Sequence, residues 1–240
     1  MDAATLLTLW EEEADLPAVP RALALLAAAR PGTTVEEWSR RTIGERDGEL
    51  LALRQELFGD VLDAAATCQA CGESLEVSFT ADDLRQAAPA ELDALRVELD
   101  GYQVQSRVPT SLDLLEVTSS SGAEATAGAL LRRCVKTARF GDTDIDAAKL
   151  PDNVLRAVSE GMAAADPLAD VQVALACPAC EQTMSITFDV ASYLWNEIDE
   201  LAQRMLVEVH LLAGAYGWTE TDVLALSPRR RRLYLEMQGG

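Results

Sequence analysis

The fold of this chain is decided by a repeat, C-Q-A-C-G-E-S-L-E-V-S-F (68–79) and C-P-A-C-E-Q-T-M-S-I-T-F (177–188). Each copy opens with a C-x-x-C pair, which indicates a tight turn. A large apolar residue, a β-branched residue and a Phe then follow at alternate positions, which is the period of a half-buried strand. Each copy is therefore predicted to be a turn that leads into a strand.

The two pairs together offer a complete set of ligands for a metal ion. Cys68, Cys71, Cys177 and Cys180 supply four thiolates, the set of a tetrahedral structural zinc site, and one structural Zn²⁺ per chain is the favoured interpretation. Redox pairs, two separate metals or an iron–sulfur cluster, and a site without metal remain alternatives. A redox pair normally opens a helix, whereas both pairs here precede strands. The fifth cysteine, Cys134, lies on a helical stripe and is predicted to be a core thiol.

The two turns differ at the position that follows the second cysteine. Gly72 suits the left-handed backbone that such a turn often needs. Glu181 stands at the matching place, where the same geometry costs on the order of 1 kcal/mol for a residue with a side chain. The 105 residues between the pairs form an insertion, and they do not prevent one shared site because the entropy of loop closure rises only with the logarithm of length.

The charge of the chain excludes several classes of partner. The formal net charge is −20, with 40 acidic and 20 basic residues. Nucleic acid and anionic membranes are bound largely through basic residues, so neither is expected as a partner. No apolar run reaches the roughly 18 residues of a membrane span. The N-terminus carries acids rather than the basic start of a signal peptide, so a cytoplasmic location is expected, where thiols stay reduced.

The sequence does not favour an enzyme or a small-molecule substrate. His210 is the single histidine, and its place inside an apolar helical pattern indicates a structural role. Four thiolates leave a zinc ion no open position for water. No glycine-rich phosphate loop or nucleophile elbow occurs. A metal- or thiol-dependent enzyme would need an open coordination site or redox-active thiols.

Most of the chain outside the repeat is predicted to be helical. Residues 1–66 show helical patterns throughout, with a capping box at Thr34 and Glu37 and a helix over 44–58. Further helices are predicted over 89–99, 123–140 and 151–165, strands over 102–108 and 171–176, and an acidic loop over 141–146.

The C-terminal region has two features suited to protein contacts. One is a helical seam of apolar residues that can pack against a helix of this chain or of another: Leu194, Ile198, Leu201, Met205, Val209, Leu212 and Tyr216. The other is the run Arg229-Arg230-Arg231-Arg232. This run fits a solvated helix face or compensation of a helix dipole, and it also fits an electrostatic contact with an acidic partner.

These patterns predict an α+β fold, predominantly α-helical, with a small β zinc-ribbon-like centre formed by the two C-x-x-C knuckles. Four regions are expected: an N-terminal helical region (1–66), the zinc-ribbon-like centre (67–85 plus 168–190), an inserted α/β region (86–167) and a C-terminal helical region (191–240).

Several longer segments resemble a known family when they are taken in order. They are G-E-R-D-G-E-L-L-A-L-R-Q-E-L-F-G (44–59), R-V-P-T-S-L-D-L-L (107–115), D-P-L-A-D-V-Q-V-A-L-A-C-P-A-C (166–180) and the ending A-Y-G-W-T-E-T-D-V-L-A-L-S-P-R-R-R-R-L-Y-L (215–235). With these segments the chain resembles the baseplate and baseplate-hub assembly proteins of contractile phage tails and of related contractile injection systems.

The resemblance implies a protein without enzymatic activity that is built into a baseplate or acts as a chaperone during its assembly. Its partners would be baseplate or hub proteins, and the protein could become part of an injection-system particle. The helix over 194–216 and the segment 218–238 are the surfaces expected to meet them. The alternative is a zinc-ribbon module that binds nucleic acid or a transcription complex, which the net charge of −20 disfavours.

Overall fold

A computed structural model of the protein describes residues 1–84, 95–120 and 126–238. It confirms an α+β fold that is predominantly helical. The helices are α1 (Ala3–Glu13), α2 (Ala18–Ala29), α3 (Val35–Ser39), α4 (Ile43–Phe58), α5 (Ala81–Leu84), α6 (Ser111–Ser120), α7 (Thr126–Cys134), α8 (Asp152–Ala165), α9 (Val190–Tyr216), α10 (Glu220–Leu224) and α11 (Pro228–Gln238). The strands are β1 (Val61–Thr67), β2 (Ser74–Thr80), β3 (Leu95–Leu99), β4 (Tyr102–Ser106), β5 (Val135–Phe140), β6 (Thr143–Asp144), β7 (Gln172–Ala176) and β8 (Thr183–Thr187).

The described residues fall into two compact units. Those within Met1–Gly32 and Ala191–Gly240 form the first unit, and those within Thr33–Val190 form the second. The first unit is built from helices alone in its described part, whereas all the strands named above belong to the second.

Most of the apolar seam of α9 is buried, so it packs within this chain, although Tyr216 at its end is 39% exposed. Leu194, Ile198 and Leu212 are almost wholly inaccessible to solvent. Two contacts place the N-terminal helices against α9. Trp10 Nε1 of α1 donates a hydrogen bond to Asp199 Oδ1 at 2.8 Å. The guanidinium carbon of Arg21, in α2, lies 4.8 Å from the centre of the Trp195 ring. Among the described helices, none is both long and apolar enough to cross a membrane.

The larger sheet of the second unit has the antiparallel order β3-β4-β5-β6. Helix α8 packs on one face of it, and Val104 and Ala138 from the strands share a core with Val158 and Met162 from α8. Cys134 belongs to this core, as predicted, and burial raises the pKa of its thiol to about 11.

Four parts of the predicted secondary structure were wrong. Residues 95–99 form β3 rather than a helix, and residues 89–94 of that predicted helix lie outside the described residues. The helix predicted over 123–140 ends at Cys134 and continues directly as β5, while 123–125 are not described. Thr143–Asp144, within the predicted acidic loop, pairs with β5. Residues 61–66, part of the predicted helical region 1–66, lie in β1.

The N-terminus of α4 receives a carboxylate from a residue far along the chain. Asp166 is 5% exposed, and its Oδ2 accepts a hydrogen bond of 3.0 Å from the Gly44 N–H. Burial raises the pKa of Asp166, while the hydrogen bonds from Gly44 and the Thr42 hydroxyl act in the opposite direction. Since the first N–H groups of a helix have no partner within the helix, Asp166 ties the segment after α8 to the start of α4.

A second buried carboxylate, Asp113, fixes the start of α6. Its oxygens accept hydrogen bonds from Arg107 at 2.6 and 2.8 Å and from Arg133 at 2.8 Å. Its Oδ2 also accepts a hydrogen bond of 2.9 Å from the Thr110 N–H, just before the first residue of α6. Burial alone would raise the pKa of Asp113, but the hydrogen bonds, with Arg107 first, hold it well below the usual range.

Replacing Gly44 with Ala tests the contact between Asp166 and α4. The added Cβ would lie 1.7 Å from Asp166 Oδ1, so the carboxylate must move and lose a buried hydrogen bond. We expect the free energy of unfolding, measured by chemical denaturation, to fall by about 2 kcal/mol. Gly48→Ala is the matched control in the same helix, because its nearest neighbour would be 3.4 Å away and alanine favours helix by up to about 1 kcal/mol. Equal effects of the two substitutions would contradict this account.

Candidate metal centre

The two C-x-x-C pairs lie at the tips of two β-hairpins. Strands β1 and β2 pair antiparallel up to Thr67↔Ser74, and β7 and β8 pair in the same way up to Ala176↔Thr183. Each hairpin is a separate two-stranded sheet, and its cysteines lie in the connection between the strands. The repeat in the sequence is therefore a repeat of whole hairpins.

The two tips have the same backbone hydrogen bonds. Cys68 N–H donates to the Glu73 carbonyl at 2.8 Å, and Gly72 N–H donates to the Cys68 carbonyl at 2.9 Å. In the second tip, Cys177 N–H donates to Gln182 at 3.0 Å, and Glu181 N–H donates to Cys177 at 2.8 Å. Each tip thus places its first cysteine and the residue after its second in equivalent positions.

The tip backbone is left-handed at the same position in both copies. Gly72 has φ +78°, and Glu181, its equivalent, has φ +59°. Glu181 therefore adopts the backbone conformation of the glycine in the first copy. A residue with a Cβ in this region carries a strain of about 1 kcal/mol, so the second tip adopts the shared geometry despite its local preference.

The inner faces of the hairpins meet at both ends. Near the tips, Leu75 and Cys68 of the first hairpin are buried together with Cys177 of the second. At the base, the rings of Phe79 and Phe188 meet edge to face with centroids 5.2 Å apart. The two Phe residues that close the sequence repeat are therefore in contact with each other.

Strand β1 was not predicted, although the sequence carries a signal for it. Leu62, Ala64 and Ala66 occupy alternate positions before Cys68, and they pair with Phe79, Val77 and Leu75 of β2. Because alanine is a strong helix former, the alanines of this segment were interpreted as helical and the alternation was overlooked. Comparison with the residues before Cys177, where Val171, Val173 and Leu175 alternate in the same way, would have revealed it.

The hairpins bring all four predicted ligand sulfurs together. The Sγ atoms of Cys68, Cys71, Cys177 and Cys180 all lie within 4.8 Å of one another. Two of the approaches cross between the hairpins, at 3.7 Å for Cys68 and Cys180 and 3.6 Å for Cys71 and Cys177. Zinc bound to four sulfurs at about 2.3 Å places them about 3.8 Å apart. The cluster has the dimensions of a tetrahedral site, and its four cysteines are free thiols.

Backbone N–H groups around the sulfurs favour the thiolate form of some of the cysteines but not of all of them. The N–H groups of Cys71 and Ala70 donate to the Cys68 sulfur and lower the pKa of this thiol to about 7. For Cys71 the Glu73 N–H acts in the same direction, but the neighbouring sulfurs, with Cys180 first, outweigh it and raise the pKa to about 12. One thiolate forms easily, whereas further negative charge is opposed. A bound divalent cation would remove that opposition, since metal ligation favours the deprotonated form.

The other residues singled out from the sequence lie outside this cluster. Cys134 has its sulfur 3.7 Å from Arg107 Nη1, and it is not among the four sulfurs that converge. His210 is on the exposed side of α9. The arrangement can hold one ion through four sulfurs, and such a set leaves no position for a water ligand.

Comparison with known proteins identifies the family of the chain. The family model described as T4 bacteriophage base plate protein matches residues 32–166, more than half of the 240 residues. The chain therefore belongs to the T4 bacteriophage base plate protein family, which confirms the resemblance to baseplate proteins. The match contains the first cysteine pair and ends before the second. No curated protein and no solved structure matches the chain.

Substitutions at the two equivalent tip positions test the shared geometry. A Cβ added at Gly72 would meet nothing within 4 Å, so Gly72→Ala acts through backbone strain alone. We expect it to lower the free energy of unfolding by about 1 kcal/mol, whereas Glu181→Gly should leave it equal or slightly higher, because relief of strain offsets the added freedom of the unfolded chain. Gly161→Ala, in α8, is the control and should not destabilise. Gly72→Ala without effect in chemical denaturation would refute the left-handed tip.

Proposed function

We propose that this protein is a non-enzymatic structural or assembly protein of a contractile, phage-tail-like baseplate, in which one structural Zn²⁺ joins the two hairpins. The observation that carries the first part is the match of residues 32–166 to the base plate protein family. Membership of this family supports a structural or assembly role in a phage baseplate. The finer assignments, to a contractile injection system and to an assembly chaperone made in the cytoplasm, are part of the proposal.

The proposal of zinc rests on the chemistry and spacing of the four sulfurs. All four come from cysteine, which favours zinc or an iron–sulfur centre over the hard cations that prefer oxygen. Their mutual separations of at most 4.8 Å suit a single ion. Because four thiolates fill a tetrahedral site, such an ion would hold the hairpins together rather than activate water. The metal would therefore serve the fold, and protein contacts would serve the function.

The surface that meets partners is proposed to include the exposed side of the C-terminal segment. Most of the seam of α9 is buried, so it contributes little to this surface. Helices α10 and α11 cover part of it, since Val223 and Leu235 pack with Val209 and Leu212 of α9. Removing residues 218–240 would expose this core. A loss of partner binding in the truncated protein could then come from misfolding rather than from loss of the binding surface. Substitution of exposed side chains is the appropriate test.

Metal analysis of the purified protein tests the zinc site. We expect one zinc per chain in the wild type and in Cys134→Ser, and loss of metal on Cys→Ser at position 68, 71, 177 or 180. A structural zinc contributes about 10–16 kcal/mol of apparent binding free energy, which is comparable with the entire stability of a domain, about 5–15 kcal/mol. The four variants should therefore lose cooperative unfolding of the second unit in thermal denaturation. A stable, metal-free Cys177→Ser protein would refute the structural role of the metal.

Deletion of the gene in the organism that makes the particle tests the baseplate role. We expect sheath and tube proteins without assembled baseplates in electron micrographs, and rescue by the wild-type gene and by Cys134→Ser but not by Cys68→Ser. Mass spectrometry of purified particles would then distinguish a component that stays from a chaperone that leaves. Normal numbers of contractile particles in the deletion strain would contradict the proposed function.

A further inference from the structure

The four consecutive arginines near the C-terminus do not share one role. Arg231 is buried, with 5% of its side chain exposed, and its Nε donates to Glu208 Oε2 at 2.6 Å. Its Nη1 donates to the Leu226 carbonyl at 2.8 Å. Arg229, Arg230 and Arg232 are exposed. One guanidinium therefore anchors α11 to α9, and the remaining three are left to solvent.

Helix α11 is held firmly by its inner side. Tyr234 packs edge to face against Trp218 at 4.9 Å and against Tyr216 at 5.7 Å, and the latter two rings stack at 4.7 Å. The Tyr216 hydroxyl also donates to the Tyr234 carbonyl at 3.2 Å. With Arg231 on the same side, these contacts determine which side chains of α11 point outward.

The outward side of α11 combines positive charge with exposed apolar groups. Leu233 is 45% exposed and Met237 is 70% exposed. They follow Arg229 at intervals of four residues, so the three lie in one row along the helix. Within the described part of the chain, no carboxylate forms an ion pair with Arg229, Arg230 or Arg232. We call the surface of Arg229, Arg230, Arg232, Leu233 and Met237 the outer face of α11; Glu236, also exposed, is the one acidic residue of this helix.

We infer that the outer face of α11 docks an acidic segment, carrying apolar side chains, of another protein. Guanidinium groups pair with carboxylates through two parallel hydrogen bonds, and Leu233 and Met237 gain from an apolar partner rather than from water. The basic face stands out on a chain whose net charge is −20. This inference rests on the proposed function in one respect, namely that the partner belongs to the same baseplate.

Two other occupants fit the outer face less well. Nucleic acid is held by many basic contacts, whereas this face offers three arginines on a strongly acidic protein and exposes two apolar side chains beside them. A second copy of the chain, joined by a twofold axis through α11, would place arginines against arginines. A head-to-tail contact between copies would form a closed ring or an open filament, and it would appear in the test below as a cross-link to a second copy. A different, acidic protein satisfies both the charge and the apolar groups.

Site-specific photo-cross-linking identifies the occupant. A photoreactive amino acid placed at Met237 of the full chain, in cells that assemble the particle, should cross-link to one protein, and mass spectrometry should locate the linked segment. The same group at Arg139, exposed in the second unit, is the control position. A synthetic peptide of the linked segment then serves as the probe in fluorescence anisotropy. We expect an acidic segment with apolar residues, whose binding weakens with added salt.

Arginine substitutions test the contribution of charge. Arg229→Gln with Arg230→Gln and Arg232→Gln should weaken binding of the peptide at least about tenfold, and Leu233→Ser with Met237→Ser should act in the same direction. The control is Arg96→Gln with Arg139→Gln and Arg156→Gln, which changes the net charge equally and should not alter binding. Circular dichroism checks that each variant is folded.

The inference fails if the cross-link maps to nucleic acid, to a second copy or to a segment without acidic residues, or if no cross-link forms. It also fails if the arginine substitutions leave binding unchanged. These results are separate from failure of the proposed function, which would appear as normal particles in the deletion strain. A deletion strain without baseplates, combined with arginine substitutions that do not affect binding, would retain the baseplate role and reject the outer face of α11.

Discussion

Neither hairpin of the cysteine repeat can be stable alone, and this constraint determines the architecture of the second unit. A two-stranded sheet is marginal in water, and the inner faces here carry small residues such as Ala64 and Ala66 beside Leu75. Face-to-face contact is secured at the tips by four converging sulfurs and at the base by Phe79 and Phe188. Because the hairpins are far apart in sequence, this contact closes the chain around all the elements between them, including the four-stranded sheet and α8.

The sequence predicted those features whose signals are local. The capping box at Thr34 and Glu37 is present. The spacing of each C-x-x-C pair is also a local signal, and the four sulfurs that it marked as ligands do converge. The missed strands depend on partners far away. Residues 95–99 have apolar residues at spacings that also suit a helix, and only pairing with β4 makes them a strand. The change from α7 to β5 occurs between Cys134 and Val135 with no glycine or proline to mark it, so it was not visible to local rules.

The buried charged residues were not predicted either, because charged residues in a strongly acidic sequence are expected to lie on the surface. Three of the segments that carry the family resemblance, 44–59, 107–115 and 166–180, contact one another through buried polar groups. Arg46 Nε donates to Asp47 at 2.7 Å and its Nη1 lies 3.5 Å from the Ser111 hydroxyl, while Asp166 reaches the start of α4. Burial raises the pKa of Asp47, and Arg46 opposes that. Desolvation makes such groups weak contributors to net stability, but each is satisfied only in one arrangement, so they specify how these segments pack.

The position of the arginine run decides between its possible meanings. A run placed to compensate a helix dipole would lie at the C-terminus of a helix, where the dipole is negative. Here Ser227 caps the helix that the arginines open, so the dipole disfavours them. One arginine, Arg231, is sufficient to fix α11 through Glu208, and the packing of Tyr234 and Leu235 adds apolar contacts. Stability of the first unit therefore does not account for Arg229, Arg230 and Arg232. Their charge is unfavourable for the isolated helix and becomes favourable once carboxylates of a partner lie beside it, which is the reason for assigning them to a contact between proteins.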